Sequence, residues 1–346
     1  VNKLLGFFLV GVTLSTLVSL YVLYGMELPG IGALPRVFSL AGSVYILMGL
    51  EVIAVLVSLF QLLNTQSLKD KVLYTEVLVI NALYLIAILN GAALVVLATG
   101  LLLLLLYVHK EIPTNSKTLF IGILIVLGLL GFVHHYPMTR DALGLNQMNA
   151  QPRLSLRESW VITAETLRDR PITGSGVGAF VNMFSLYRPA SLNATENWQA
   201  RFESPYSDVL LWVGSTGLVG LLAYLIFIGF SVYTVKSLER ENKTSKMLTI
   251  VVLASLLVLI VLGNNPLIYV LLFIALGISI HKGNRAPLSI NSVPVLSIFA
   301  IAAIAIFGYV LFKAYGVYAG QYFFRESLTR DNLGERFELQ AKAIGA

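Results

Sequence analysis

The chain has 346 residues, of which 57% are hydrophobic and 12% are charged, and its mean hydropathy is +0.82. Soluble domains carry about 25% charged residues, so this composition excludes a soluble globular protein. The net charge of +6 does not indicate nucleic-acid binding, because the basic residues lie in short segments between apolar runs. Cysteine is absent and the four histidines are scattered, which predicts no metal site. Composition therefore predicts an all-α polytopic transmembrane helix bundle surrounded by membrane lipids.

Apolar windows long enough to cross a bilayer predict nine spans. They lie at 4–24, 38–61, 72–89, 92–108, 118–135, 207–233, 248–263, 267–282 and 294–312. Two longer apolar stretches are divided by turn signals, Asn90-Gly91 in the first and Gly263-Asn264-Asn265-Pro266 in the second.

The distribution of lysine and arginine predicts the orientation of these spans. With the N-terminus in the cytoplasm, eleven basic residues fall in or beside short cytoplasmic loops, and only Arg36 falls in a short outer loop. The predicted organisation is then five spans over 1–135, an extracytoplasmic loop over 136–206, four spans over 207–314 and an extracytoplasmic tail over 315–346. This arrangement predicts a multi-pass protein of the cytoplasmic (inner) membrane.

The tail has an amphipathic pattern. Leu333, Phe337, Ala341 and Ile344 recur at helical spacing among charged residues. Two interpretations remain open: the beginning of a helical repeat that docks a protein partner, and a helix pair on the membrane surface. Because the chain begins at Val1 and stops within this pattern, we expect a segment of a longer protein.

The large loop contains a predicted helix. Ser155-x-x-Glu158 has the spacing of a capping box, and an amphipathic run follows it. On this helix Arg157 and Trp160 share one side, where a planar cation can hold a phosphate and a ring can contact a sugar. A simpler interpretation is that Trp160 anchors the helix at the membrane interface while Arg157 pairs with a nearby acid.

A glycine-rich segment follows this helix. Gly174, Gly176 and Gly178 alternate with other residues, so the backbone can turn tightly and present N–H groups to an anion. The segment lacks the downstream acid of a dinucleotide-binding fingerprint, which excludes that class. It predicts either an anion-holding turn or an ordinary turn.

Four motifs in this order resemble the O-antigen ligase and polymerase family of membrane glycosyltransferases. They are Arg157-Glu158-Ser159-Trp160, the segment 171–180, Ser185-Leu186-Tyr187-Arg188-Pro189 and Gly217-Leu218-Val219-Gly220. The resemblance implies transfer of a glycan from a polyprenyl-diphosphate carrier to a glycan or lipid acceptor outside the cytoplasmic membrane, without metal, nucleotide sugar or other cofactor. It implies that Arg157 holds the diphosphate together with the turn of Gly174, Gly176 and Gly178.

The remaining predicted site residues follow from position and charge. Arg188 and Arg201 are further candidate diphosphate contacts in the loop. The His-Asn pair that precedes Gly-x-x-Gly in the ligases is replaced here by Tyr206-Ser207-Asp208. Catalytic candidates are therefore Asp208 and Tyr206, with His135 at the end of the fifth span as a second possible base.

Two features favour functions of other classes. The Ser-Arg-Gly junction of the ligases corresponds here to Asn90-Gly91-Ala92, which has no cation, and together with the missing His-Asn pair this is consistent with a non-catalytic scaffold of the same fold. Glu51 and Glu76 lie within predicted spans, where carboxylates are costly and often functional, as in a lipid or solute transporter.

Overall fold

The architecture of the chain was obtained from a computed structural model. It describes residues 2–27, 38–108, 152–195, 197–238, 242–282 and 332–345, together with scattered positions at 123–128 and 308–327. These residues form ten α-helices and no strand, which confirms the predicted all-α fold. The chain divides into two compact units, Val1–Arg285 and Ala286–Ala346.

Seven of the helices are strongly apolar. They are α1 Asn2–Leu23, α2 Val44–Asn64, α3 Leu68–Ile88, α4 Gly91–Val108, α7 Asp208–Lys236, α8 Lys243–Leu262 and α9 Pro266–Lys282. Between α4 and α7 lie α5 Leu156–Asp169, α6 Phe180–Leu186 and a 3₁₀ helix Ala190–Ala194. Five of the seven, all but α4 and α9, are long and apolar enough to cross a membrane, which indicates a multi-pass membrane protein.

These helices coincide with seven of the nine predicted spans; the spans predicted at 118–135 and 294–312 lie mainly outside the described residues. Local caps explain the two predicted breaks. Leu89 adopts a left-handed conformation with φ 45°, and the Asn90 side chain accepts a hydrogen bond from Ala93 N at 3.1 Å. At the second break the Asn265 side chain caps α9, accepting from Ile268 N at 3.1 Å.

Helices α2 and α8 form the centre of the bundle. Helix α2 packs against α1, α3, α4, α8 and α9, and α8 packs against α2, α4, α7 and α9. A glycine permits one of these approaches: a Cβ added at Gly49 lies 2.7 Å from Val258 Cγ1 and 2.9 Å from Ile268 Cδ1. Helices α2 and α4 begin, and α8 ends, at the same end of the bundle. We call this end the loop end.

The described part of the loop, residues 152–206, has a small apolar core of its own. Its members are Leu154, Ile162, Phe180, Met183, Phe184, Leu192 and Phe202. The rings of Phe184 and Phe202 meet edge to face at 5.5 Å. The predicted capping box at the start of α5 is present, because Ser155 Oγ accepts from Glu158 N and Glu158 Oε2 accepts from Ser155 N at 2.9 Å. The loop is therefore folded, and α5 and α6 both pack against α7.

Helix α7 is broken at Gly217, which has φ 66° and ψ −156°. An unbroken helix would pair the N–H groups of Leu218 and Val219 with the carbonyls of Gly214 and Ser215. Here those two N–H groups donate to the carbonyls of 171 and 172, at 3.0 and 3.4 Å. The freed carbonyls accept from Ser175 N and Gly176 N at 3.0 and 2.8 Å. Segment 171–176 thus replaces the hydrogen bonds that the break removes, so these backbone groups stay paired.

The second unit contains α10 Leu333–Gly345, within the predicted amphipathic tail. The Asn332 side chain caps it, accepting from Gly334 N at 2.9 Å. Phe337 on this helix is 74% exposed. The structure contains no partner chain, so docking through the tail stays a prediction.

Candidate functional site

A cavity of about 390 Å³ opens at the loop end of the bundle. Its walls come from the start of α2, the turn between α3 and α4, the start of α5, and the loop. They are Tyr45, Asn90, Gly91, Ala92, Arg153, Leu154, Ser155, Glu158, Leu192, Thr195, Asn197 and Tyr206. The volume is within the range of about 300–1,000 Å³ that is typical of small-molecule sites. The walls combine amides, hydroxyls, two aromatic rings, one guanidinium and one carboxylate.

Arg153 is held at this cavity by four contacts. Its guanidinium carbon lies 4.2 Å from the ring centroid of Tyr206 and 4.7 Å from that of Tyr45. Its Nη2 donates to the carbonyl of Tyr206 and to the carbonyl of Leu262, the latter at 2.6 Å. These contacts join the loop to the ends of α2 and α8. Arg153 is not among the residues that the sequence pattern predicted for the site.

The charge of Arg153 has no carboxylate partner among the described residues. Its Nη1 is buried and forms no hydrogen bond within the part of the chain that the structure describes. Burial lowers the pKa of Arg153 from its ordinary value, and the hydroxyls of Tyr206 and Tyr45 act in the opposite direction. Arginine nonetheless remains protonated in proteins, so Arg153 brings a positive charge to the cavity wall. Such a group is costly unless an acceptor or an anion binds it.

Among the predicted catalytic residues, Tyr206 lines the cavity and Asp208 lies apart from its walls. The Asp208 side chain is 0% exposed; its Oδ2 accepts a hydrogen bond from the Tyr269 hydroxyl, and its Oδ1 has no partner. Tyr269 in turn accepts from Trp212 Nε1 at 3.0 Å. Asp208 therefore joins α7 to α9 in this conformation. His135 lies outside the described residues.

The predicted diphosphate contacts lie elsewhere on the loop. Arg157 and Arg201 are exposed and do not line the cavity, and Trp160 is 58% exposed on the surface of α5. Arg188 donates to the carbonyl of Trp198 and lies 5.7 Å from the Phe184 ring centroid, so it closes part of the loop on itself. These four residues therefore do not line the cavity at Arg153.

The glycine-rich turn has positive φ at all three positions: 62° at Gly174, 103° at Gly176 and 76° at Gly178. Glycine tolerates these values, as the sequence predicted. The N–H groups of Gly174, Ser175 and Gly176, however, donate to the carbonyls of Arg170, Gly214 and Ser215. Ser175 and Gly176 thus stabilise the break in α7, Gly174 caps the end of α5, and none of these three donors is free for an anion.

A sequence signal for Arg153 existed but is weak. Arg153 lies two residues before the Ser155 N-cap, outside the helix that carries the predicted site residues Arg157 and Trp160. The segment before the cap runs back to the bundle, since Leu154 is buried in the loop core. That path depends on long-range packing, and spacing alone does not reveal it. In the described part of the chain, no three His, Cys, Asp or Glu side chains group as metal ligands.

Glu51 lies in a buried polar cluster between α1, α2 and α3, and it does not line the cavity at Arg153. Its Oε1 accepts from the Thr16 hydroxyl at 2.7 Å, and Thr16 also lies 3.0 Å from Asn81 Oδ1. Asn81 Nδ2 donates to Thr13 at 3.1 Å. Glu76, the other predicted carboxylate, is exposed on α3. These contacts give Glu51 a role in helix packing.

Replacing Glu51 with leucine is expected to destabilise the bundle by roughly 1–3 kcal/mol, because the buried Thr16 hydroxyl loses its carboxyl acceptor. Glu51→Gln retains the shape and a hydrogen bond, so its unfolding temperature in detergent should lie much closer to that of the wild type. Thermal unfolding monitored by circular dichroism measures both. Equal unfolding temperatures for the leucine variant and the wild type would contradict the packing role.

No protein-family model matches this chain, and no curated protein sequence matches it either.

Proposed function

We propose that this protein transfers a glycan from a polyprenyl-diphosphate carrier to a glycan or lipid acceptor at the outer face of the cytoplasmic membrane. The observation that carries the proposal is Arg153: a partly buried guanidinium without a carboxylate partner among the described residues, in the wall of a cavity at the loop end of the bundle. A diphosphate is the type of ligand that satisfies such a group. The order of motifs that resembles the O-antigen ligase and polymerase family supports the same activity.

The position of the cavity also agrees with that resemblance. Asn90-Gly91-Ala92, the counterpart of the cation-bearing junction in the ligases, lies in the cavity wall together with Arg153. In this proposal Arg153 supplies from the loop the positive charge that the junction lacks. Arg153 thereby takes the diphosphate-holding role that the sequence analysis gave to Arg157.

The orientation belongs to the same proposal. The basic residues Lys69, Lys71, Lys236 and Lys243 lie at the start of α3, the end of α7 and the start of α8. That end is opposite the loop end, since Lys243 Nζ donates to the carbonyl of Asn64, where α2 ends, at 2.5 Å. Under the positive-inside rule this end faces the cytoplasm and the cavity opens outside.

The chemistry follows from the leaving group. An acceptor hydroxyl oxygen bonds to the anomeric carbon, and the bond between that carbon and the diphosphate oxygen breaks with its electron pair on the diphosphate. Arg153 neutralises the charge that develops there, and stabilisation of developing charge by a preorganised group is a large source of rate enhancement. The rings of Tyr45 and Tyr206 each contact the Arg153 guanidinium and hold it in position before the donor arrives.

The test is turnover by the purified protein in detergent or nanodiscs. A lipid-linked oligosaccharide is incubated with candidate acceptors, and release of polyprenyl diphosphate is measured. Acceptor-dependent release supports the proposal. Donor binding without release, for every acceptor tried, is the result expected of a non-catalytic scaffold and would reject the enzyme.

A further inference from the structure

We propose that Glu158 is the base that takes the proton of the acceptor hydroxyl. This inference rests on the proposed transferase function. The sequence pattern predicted Asp208 or His135 for that role. Asp208 is 0% exposed and bonded to Tyr269, and among the described residues Glu158 is the carboxylate in the wall of the cavity.

The capping box determines how Glu158 presents its carboxylate. Oε2 accepts from Ser155 N at 2.9 Å, which fixes the side chain at the start of α5. No described residue donates to Oε1, so this oxygen keeps its capacity to accept a proton. One oxygen therefore orients the group, and the other is available for chemistry.

Arg153 and Glu158 are close in sequence and line the same cavity, yet they form no ion pair with each other. Neither charge is neutralised by the other, so each can act on a different part of the reaction. Inverting glycosyl transfer needs this separation: the leaving group departs on one side of the sugar ring, and a carboxylate activates the nucleophile on the other. A cation and a carboxylate that line one cavity without pairing provide the two functions.

The proton and electron balance is complete without a further reactant. The acceptor oxygen forms its bond to the anomeric carbon while its proton passes to Glu158 Oε1. The electron pair of the broken bond remains on the diphosphate beside Arg153. Glu158 then loses the proton to solvent through the open cavity, which restores the starting state.

The experiment compares Glu158→Gln with Glu165→Gln on the same helix. Glutamine serves as well as glutamate at the third position of a capping box, so Glu158→Gln keeps the cap while losing the base. Glu165 pairs with Arg168 at 3.5 Å and does not line the cavity, which makes it a matched control. We expect Glu158→Gln to reduce turnover on the order of 10²–10⁴-fold, the usual contribution of a general base.

Donor binding and turnover together distinguish a failure of the Glu158 assignment from a failure of the proposed function. Binding of the lipid-linked donor to Glu158→Gln should equal that of the wild type, because the charge on the diphosphate side is unchanged. Glu158→Gln turnover equal to that of Glu165→Gln would overturn the inference while leaving the transferase intact, and so would weaker donor binding with an unchanged kcat. Absence of donor turnover by the wild type would reject the proposed function itself, and the assignment of a base with it.

Discussion

Replacing Arg153 with glutamine is expected to reduce turnover of a polyprenyl-diphosphate-linked donor by roughly 10²–10³-fold, the usual effect of removing one preorganised donor to a developing negative charge. Glutamine can still donate a hydrogen bond to the carbonyl of Tyr206 or Leu262, so part of the packing role is kept. The charge that faces the diphosphate is lost. Donor binding and release of polyprenyl diphosphate should therefore both fall.

The matched control is Arg157→Gln. It removes the same charge at the same end of α5, from an exposed side chain that does not line the cavity. We expect turnover close to that of the wild type. Because Arg153 also joins the loop to the bundle, rates are compared only for protein that elutes as a single species and retains its helical content. A larger loss of turnover in Arg157→Gln than in Arg153→Gln would indicate that the diphosphate binds at the surface of α5 and would contradict the role of Arg153.

Alanine at Gly217 or Gly174 is expected to lower the free energy of unfolding by roughly 2–5 kcal/mol. Both glycines have positive φ, 66° and 62°. An added Cβ would lie 2.4 Å from the carbonyl oxygen of Ile172 at Gly217, and 2.6 Å from that of Gly214 at Gly174. Backbone cannot yield as a flexible side chain does, so segment 171–176 would leave the break in α7 and expose its hydrogen-bonding groups.

Gly178→Ala distinguishes the cost of a positive φ from the cost of a steric clash. Gly178 also has positive φ, 76°, but an added Cβ meets no atom within 4 Å. Only the conformational cost of about 1–2 kcal/mol remains for this variant. Thermal unfolding in detergent and the yield of folded protein rank the three variants. Equal losses of unfolding free energy in Gly178→Ala and Gly217→Ala would contradict a role for Gly217 in the close contact between the loop and the break in α7.

Much of the bundle was predictable from local sequence. Hydropathy located seven helices, and short-range signals located their ends: Asn90 and Asn265 cap the helices that follow them, and Ser155 with Glu158 forms the predicted capping box. Each of these features depends on residues within four positions of one another. Local chemistry therefore determines them, and a sequence pattern suffices to find them.

The candidate site depends instead on contacts between distant residues. Arg153 reaches Leu262, which is 109 positions away, and the glycine-rich turn pairs with carbonyls about forty positions later in α7. No spacing rule connects such residues. The sequence pattern therefore indicated Arg157 and the free amides of the turn, whereas packing brings Arg153 to the cavity and engages the amides in the broken helix.

The most direct test of the account is an experimental structure of the protein in nanodiscs with a polyprenyl-diphosphate-linked sugar bound. We expect a phosphate oxygen within hydrogen-bond distance of the Arg153 guanidinium, about 2.7–2.9 Å, with the sugar beside Glu158 in the cavity. A diphosphate bound at Arg157 or Arg201, with the cavity at Arg153 holding only solvent, would contradict it.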